Sequence, residues 1–216
     1  MANTKNNCST VETRRRLIEA AGEIFAKQGL EGATIEAITK RAGTSLASIN
    51  YHFNGKANLY SQAITEANHI TTDLLRRMPM ERGKTPQEQL RNYVASMLEL
   101  MINGGQTCWH CMLLNREVQH PNRITRKQLK ELAQVAHGSL GKLIVRIVGR
   151  SIDDRELILC TNCIIGLCKY FADHQDFHDN MFPQMPNARK NSKALTDYIT
   201  RFCFSAIQQM YDVPTG

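Results

Sequence analysis

From Val11 onward the apolar residues fall three and four positions apart, and nowhere do they alternate with polar ones for the length of a strand. Leu17, Ile18, Ala21, Ile24 and Phe25 form the first stripe. It stops at Lys27-Gln28-Gly29, a basic turn followed by the residue that most readily ends a helix. Two short segments follow, Ile35 to Arg41 behind Thr34 and Leu46 to His52 behind Ser45, with Ala42-Gly43-Thr44 as the break between them. Thr34 and Ser45 are residues that favour the N-cap position. After Phe53-Asn54-Gly55 a long helix is predicted from about Lys56 towards Met78.

The rest of the chain repeats the same period over longer stretches. One helix is predicted from Pro86, with Thr85 as its cap, through Tyr93, Met97, Leu100 and Met101 to Gly104-Gly105. Another runs from Thr107 to about Gln119, where Pro121 stops it. A third is expected to be capped by Thr125 and to run through Leu129, Leu132, Val135, Ala136, Leu140, Leu143, Ile144 and Ile147. Asp153-Asp154 opens an almost wholly apolar helix to Ala172, and the last carries Leu195, Ile199, Phe202, Ala206 and Met210. Between these two, His174 to about Arg189 reads as a solvated polar loop. His174, Asp176, His178 and Asp179 form a local cluster there, in which His174 and His178 would face together only if the helix continued that far. The expectation is an all-α protein: a tail over 1–10, a three-helix unit over 11–60, and a larger helical domain over 61–216.

Composition narrows the class. Of 216 residues 42% are hydrophobic, enough for a real core, and 13 Gly with 6 Pro exclude collagen-like or linker sequence. The first ten residues are polar, so no secretory leader is expected. The most apolar stretch, Leu157 to Cys168, is too short and too polar to span a bilayer. The reading is of a cytoplasmic protein that touches no membrane. The net charge is +7, and the first 60 residues hold eight basic against five acidic side chains, with Arg14-Arg15-Arg16 the densest run. Basicity makes a polyanion a reasonable partner and is equally compatible with a solvated basic face. Seven cysteines in a reducing compartment do not read as a disulfide framework. Cys108-Trp109-His110-Cys111 and Cys160-Thr161-Asn162-Cys163 are separated by far more than the roughly 15–20 residues of a compact zinc module, so core packing is the expectation for them.

Thr34 to Phe53 has the form of a helix-turn-helix. Gly43 can take the positive φ of a tight inter-helix turn, and Ile38, Ala42 and Ile49 can hold the two helices together. The second helix starts with small residues, Ser45, Ala47 and Ser48, so its N-terminus can approach a groove closely and favour phosphate. These residues, with Asn50-Tyr51-His52-Phe53, Lys56 and Leu59-Tyr60 at their spacing, resemble the DNA-binding domain of TetR-family transcriptional repressors over about residues 11–60. The resemblance implies phosphate contacts from Thr34, Tyr51, His52 and Lys56, a recognition face of Ser45, Leu46, Ala47, Ser48 and Asn50, and packing by Phe53 and Leu59. Three positions depart from the family pattern: Thr39 for a small Ala, Leu46 for a polar residue, and Ala57 for a frequent Glu. With Leu46 apolar, hydrogen bonding to bases rests mainly on Ser48 and Asn50, and contact with thymine methyl groups gains weight.

Met112 to Pro121 resembles an Arg-Glu…Pro stretch of the CecR-like branch. The resemblance implies a helical domain that dimerises and encloses a small-molecule cavity. Met97, Met101, Trp109, Met112, Ile165, Cys168 and Phe171 lie on the helices that would line it, with His110 and Arg116 as polar anchors; each is equally compatible with a core or ion-pair role. The function expected is a homodimeric repressor, released from a palindromic operator by a small hydrophobic or aromatic inducer. The rival is a DNA-binding thiol or metal sensor. No nucleophile–base pair or phosphate loop points to an enzyme, and no cofactor or bound metal is expected.

Overall fold

The computed structural model of the chain describes residues 2–78, 82–187, 189 and 191–212, with side chains at all of these except 2–9 and 103–107. Among the described residues the elements are helical throughout. They are α1 Ala2–Gly32, α2 Ile35–Ala42, α3 Leu46–Phe53, α4 Lys56–Arg76, α5 Pro86–Thr107, α6 Trp109–Gln119, α7 Arg126–Val148, α8 Asp154–Asp173, α9 Gln175–Met181 and α10 Ser192–Met210. A 3-10 turn, Arg123–Thr125, precedes α7.

Three local readings change. The backbone is helical from Ala2, so α1 includes residues 2–10, which their polarity had suggested were a tail. Thr125 does not cap α7. Its hydroxyl donates to Glu117 Oε2 at 2.5 Å and to the Asn122 carbonyl at 3.0 Å, while Asn122 caps the 3-10 turn by accepting from the Ile124 N–H. The polar stretch after α8 is not all loop: α9 forms there because Gln175 and His178 turn inward. His178 lies against the rings of Tyr170, Phe171 and Phe177, a pattern the local abundance of Asp and Asn conceals.

The chain divides into two compact units, residues 1–72 with 106–132 and residues 73–105 with 133–216. The first is therefore larger than the 11–60 unit read from the sequence. α6 packs on α1 and buries Trp109, Leu113 and Leu114 in the same core as Leu17, Ala21, Phe25, Ile38, Ile49, Leu59 and Tyr60. Within it a carboxyl is enclosed. Glu117 of α6 is almost fully buried, accepts from Tyr60 Oη and Thr125 Oγ1, and so ties α4 to α6 and the 3-10 turn.

The second unit has its own core. Its buried residues include Leu90, Tyr93, Val94 and Met97 of α5, Leu140, Leu143 and Ile144 of α7, Ile164 and Cys168 of α8, and Leu195, Ile199, Cys203 and Ile207 of α10. His137 Nδ1 lies 2.7 Å from Thr161 Oγ1, and Arg91 Nε donates to Asp197 Oδ1 at 2.6 Å. The apolar stripe of α10 splits in two: Leu195 and Ile199 are buried, whereas Tyr198, Phe202 and Met210 are exposed. α8 divides likewise, with Ile158, Leu159 and Tyr170 exposed. No helix among the described residues is long and apolar enough to cross a membrane.

Candidate nucleic-acid interface

The helix-turn-helix is built by its caps. Thr34 is in extended conformation and its hydroxyl accepts from the Ala37 N–H at 3.1 Å, starting α2. Glu36 in the first turn and Lys40 with Arg41 in the last complement the helix dipole. Gly43 ends α2 at φ 62°, ψ 44°, a left-handed conformation, and the N–H groups of Gly43 and Thr44 return to the carbonyls of Lys40 and Thr39. Ser45 holds the N-cap position of α3, but its hydroxyl meets Ser48 Oγ at 3.1 Å instead of closing on the backbone. Asn54, also left-handed at φ 55°, ends α3 with its N–H on the Asn50 carbonyl at 3.0 Å.

Packing fixes which side of α3 faces out. Ile38, Ala42, Ile49, Phe53 and Leu59 are buried as the spacing predicted, and they clamp α2, α3 and the start of α4. Thr39 is buried as well and is satisfied, its hydroxyl donating to the carbonyls of Ile35 and Glu36. Outward lie Ser45, Leu46, Ala47, Asn50 and Tyr51, with Ser48 and His52 half-buried. Leu46 is 58% and Tyr51 79% exposed, far more than an apolar side chain needs for packing, and the Tyr51 and His52 rings meet edge to face at 4.9 Å. Thr34 is exposed, and Lys56 Nζ donates to the neighbouring Ala33 carbonyl at 3.0 Å. That bond uses one of the three ammonium donors and leaves two. The predicted contact residues thus form one outward surface at the start of α2, along α3 and at the start of α4.

The arginine run, the densest basic stretch of the sequence, makes specific contacts. Arg16 donates to the carbonyls of Ala42 and Gly43, latching α1 to the turn between α2 and α3. Arg14 donates to Gln62 at 2.8 Å and sits 5.3 Å from the Phe53 ring centroid, and Arg15 pairs with Glu12 at 2.8 Å. Arg41 pairs with Glu23 of α1. Arg14, Arg16 and Arg41 thus tie α1 to α2, the turn and α4, whereas Arg15 pairs within α1. Charge density alone does not reveal the first three, because their partners are distant in sequence.

The residues predicted for a ligand fall in both units. Met97, Met101, Ile165, Cys168 and Phe171 belong to the second, where Met97 and Cys168 are buried and the others half-buried. Trp109, His110, Met112 and Arg116 belong to the first. Trp109 lies so close to Gly22 of α1 that a Cβ there would overlap its ring, and Met112 packs on the same core. His110 stacks on Trp109 at 3.8 Å, burial holding its imidazole below the ordinary range, and the Arg116 guanidinium lies over Gly29. An open concavity of about 510 Å³ in the second unit is lined by Arg91, Ala95, Glu99, Ile102, Arg189, Ser192, Lys193 and Thr196. A smaller one of about 10 Å³ includes Phe171. The cationic lining of the larger one had no signal in the sequence, because its residues come from α5 and the start of α10.

A capped pair of short helices, braced by a third and presenting small polar side chains outward, defines a helix-turn-helix DNA-binding protein. Residues 17–63 match the family model described as bacterial regulatory proteins of the tetR family. Residues 86–207 match that of the HTH-type transcriptional dual regulator CecR, C-terminal domain. The chain belongs to the TetR family of transcriptional regulators and carries a CecR-type C-terminal domain. The HTH-type nicotine-responsive transcriptional repressor HdnoR of Paenarthrobacter nicotinovorans is 34% identical over 189 residues, covering 80% of this chain and 93% of that protein. The HTH-type transcriptional regulator SrpR of Pseudomonas putida is 35% identical over 100 residues, 46% of this chain. The chain spans less than half of that relative, 43% of its length. The crystal structure of the transcriptional regulator FadR from Bacillus subtilis in complex with stearoyl-CoA has the same fold, with a TM-score of 0.64 at 16% identity, covering 88% of this chain and 97% of that one.

Proposed function

We propose that the chain is a homodimeric repressor that reads a palindromic operator with α3 and releases it when a small hydrophobic ligand binds the C-terminal domain. The outward face of α3 carries the reading: Leu46 and Tyr51 stand in solvent on a helix whose inner residues, Ile49 and Phe53, are fully used. Thr34, Tyr51, His52 and Lys56 hold phosphates, Ser45 and Ala47 let the backbone come close, and Ser48, Asn50 and Leu46 meet base edges. The exposed apolar faces of α8 and α10 support pairing with a second copy. A nicotine-responsive relative supports a ligand, and a neighbour of the same fold was solved with stearoyl-CoA. Met97 and Met101 of the second unit are proposed to adapt to such a ligand, thioether side chains suiting varied apolar shapes. Selecting duplexes from a random pool with the purified chain should yield a two-fold symmetric site. A hydrophobic compound library, screened by thermal shift and then by anisotropy on that site, should give a ligand that both stabilises the protein and releases DNA. A pool that stays unselected, or retention of DNA by every stabilising compound, would overturn the corresponding half of the proposal.

A further inference from the structure

Cys108-Trp109-His110-Cys111 opens α6, and the regulator as described uses neither thiol. Cys108 occupies the N-cap in extended conformation (φ −111°, ψ 109°), and Cys111 lies one turn on. Cys108 Sγ is 3.0 Å from His110 Nδ1, and Cys111 Sγ is 4.0 Å from Thr71 Oγ1. Both are half-buried and free, within reach of a small reagent. Burial disfavours the charged form of both groups, holding the His110 imidazole below its ordinary value and pushing the Cys111 thiol up to about 11.

The other described thiols lack this arrangement. Cys168 and Cys203 are buried, and burial pushes each up to about 12. Cys160 and Cys163 have the same spacing as the first pair but lie inside α8. Side chains three apart in a helix hold their Cβ atoms about 5–6 Å apart, whereas a disulfide needs about 3.5–4.5 Å. A mid-helix pair must break the helix to close that gap. Cys108, at the N-cap, has extended backbone angles although its carbonyl accepts from the Met112 N–H at 3.2 Å, so closing this pair needs only a tightening of the first turn.

We propose that Cys108 and Cys111 are a redox-active dithiol, closed to an intrachain disulfide by a low-molecular-weight disulfide, and that the closed form binds DNA more weakly. The second clause rests on the reading of the chain as a DNA-binding regulator. In the first step the Cys108 sulfur attacks one sulfur of the small disulfide and the S–S bond breaks. One half leaves as a thiol, carrying the proton that Cys108 gives up by way of His110, and the other half stays as a mixed disulfide. Cys111 then displaces that half, its own proton going to the second departing thiol. Two protein thiols lose two electrons and two protons, and the small disulfide becomes two thiols. Tightening the first turn moves Trp109, whose ring lies against Gly22 of α1. α1 in turn holds the carbonyls of Ala42 and Gly43 through Arg16, so the movement reaches the turn that sets α3.

Trp109 is the only tryptophan of the chain, so its emission reports this site directly. The purified full chain is equilibrated with glutathione at a series of oxidised-to-reduced ratios. The tryptic peptide ending at Arg116 should lose two hydrogens and escape alkylation, and Trp109 emission should be quenched with the same midpoint. Affinity for the selected duplex should fall about fivefold or more and return on reduction. Cys108→Ser with Cys111→Ser, and separately Cys111→Ala, should bind the duplex equally well with and without oxidised glutathione, their helix content being checked by circular dichroism. Full alkylation of the Arg116 peptide at excess oxidised glutathione overturns the dithiol. A closed disulfide with unchanged affinity overturns the coupling, as does equal loss of affinity in the variants. If the reduced wild-type chain selects no duplex, the regulator reading fails before any oxidant is added, and the mass and emission still decide the dithiol.

Discussion

Lys56 shows what single side chains decide at this surface. Its ammonium bridges to the Ala33 carbonyl beside Thr34, so Lys56→Ala removes this brace and, on the proposed function, a phosphate contact. The outcome expected is weaker binding to all sequences and a salt slope reduced by about one unit, measured by anisotropy across a salt series. Asn50→Ala should instead relax base preference, by about 1–3 kcal/mol at the position it reads. Tyr60 is the second residue whose role goes beyond packing. Burial, and then the bond to Glu117, raise its phenol above the ordinary value near 10. The folded state therefore keeps a proton that the unfolded chain releases, and the stability this supplies is intact below about pH 10 and falls as pH rises above it. Tyr60→Phe should make that alkaline fall shallower. It should also lower stability near neutral pH by about 1–3 kcal/mol, because Glu117 keeps its burial and loses a donor. Urea titrations at neutral and alkaline pH read both effects.

At the scale of elements, the turn between α2 and α3 depends on Gly43. Its φ of 62° strains any residue with a Cβ, and a Cβ built there lies 2.7 Å from Arg16 Nη2. Gly43→Ala should cost about 1–2 kcal/mol from backbone conformation and displace the Arg16 latch. DNA affinity should therefore fall together with the denaturation midpoint; unchanged affinity would remove the latch from the path to α3. The turn, both caps and the buried clamp of Ile38, Ala42 and Ile49 were legible because each depends on neighbours within a few positions. The role of Arg14 and Arg16 was not legible, since Gln62, Phe53 and the Ala42 carbonyl are brought to them only by the packing of α1.

For the whole molecule, the exposed apolar residues of α8 and α10 are the feature that asks for a partner. Phe202→Asp and Leu159→Asp, each outside the core of the second unit, should turn a dimer at micromolar concentration into a monomer in sedimentation. They should abolish binding to a full palindrome while sparing the helix content. A dimeric double variant would send the interface elsewhere. With the dimer intact, selected half-sites should lie about 34–36 Å apart, one turn of B-DNA.

The sequence by itself determined the helical class, the positions of the N-terminal caps and turn, and the face of α3 left for DNA. These follow from periodicity and from backbone preferences acting over three or four residues. Only the tertiary structure decided that α6 joins the first unit, so that Trp109, His110, Met112 and Arg116 sit with α1. It alone divided the stripe of α10 into a buried and an exposed half, and set Cys108 beside His110 at the open end of a helix. A 3.6-residue period says that a face is buried, and not against what. The partner is chosen by which distant helix completes the closest packing, and that information is spread over the whole chain.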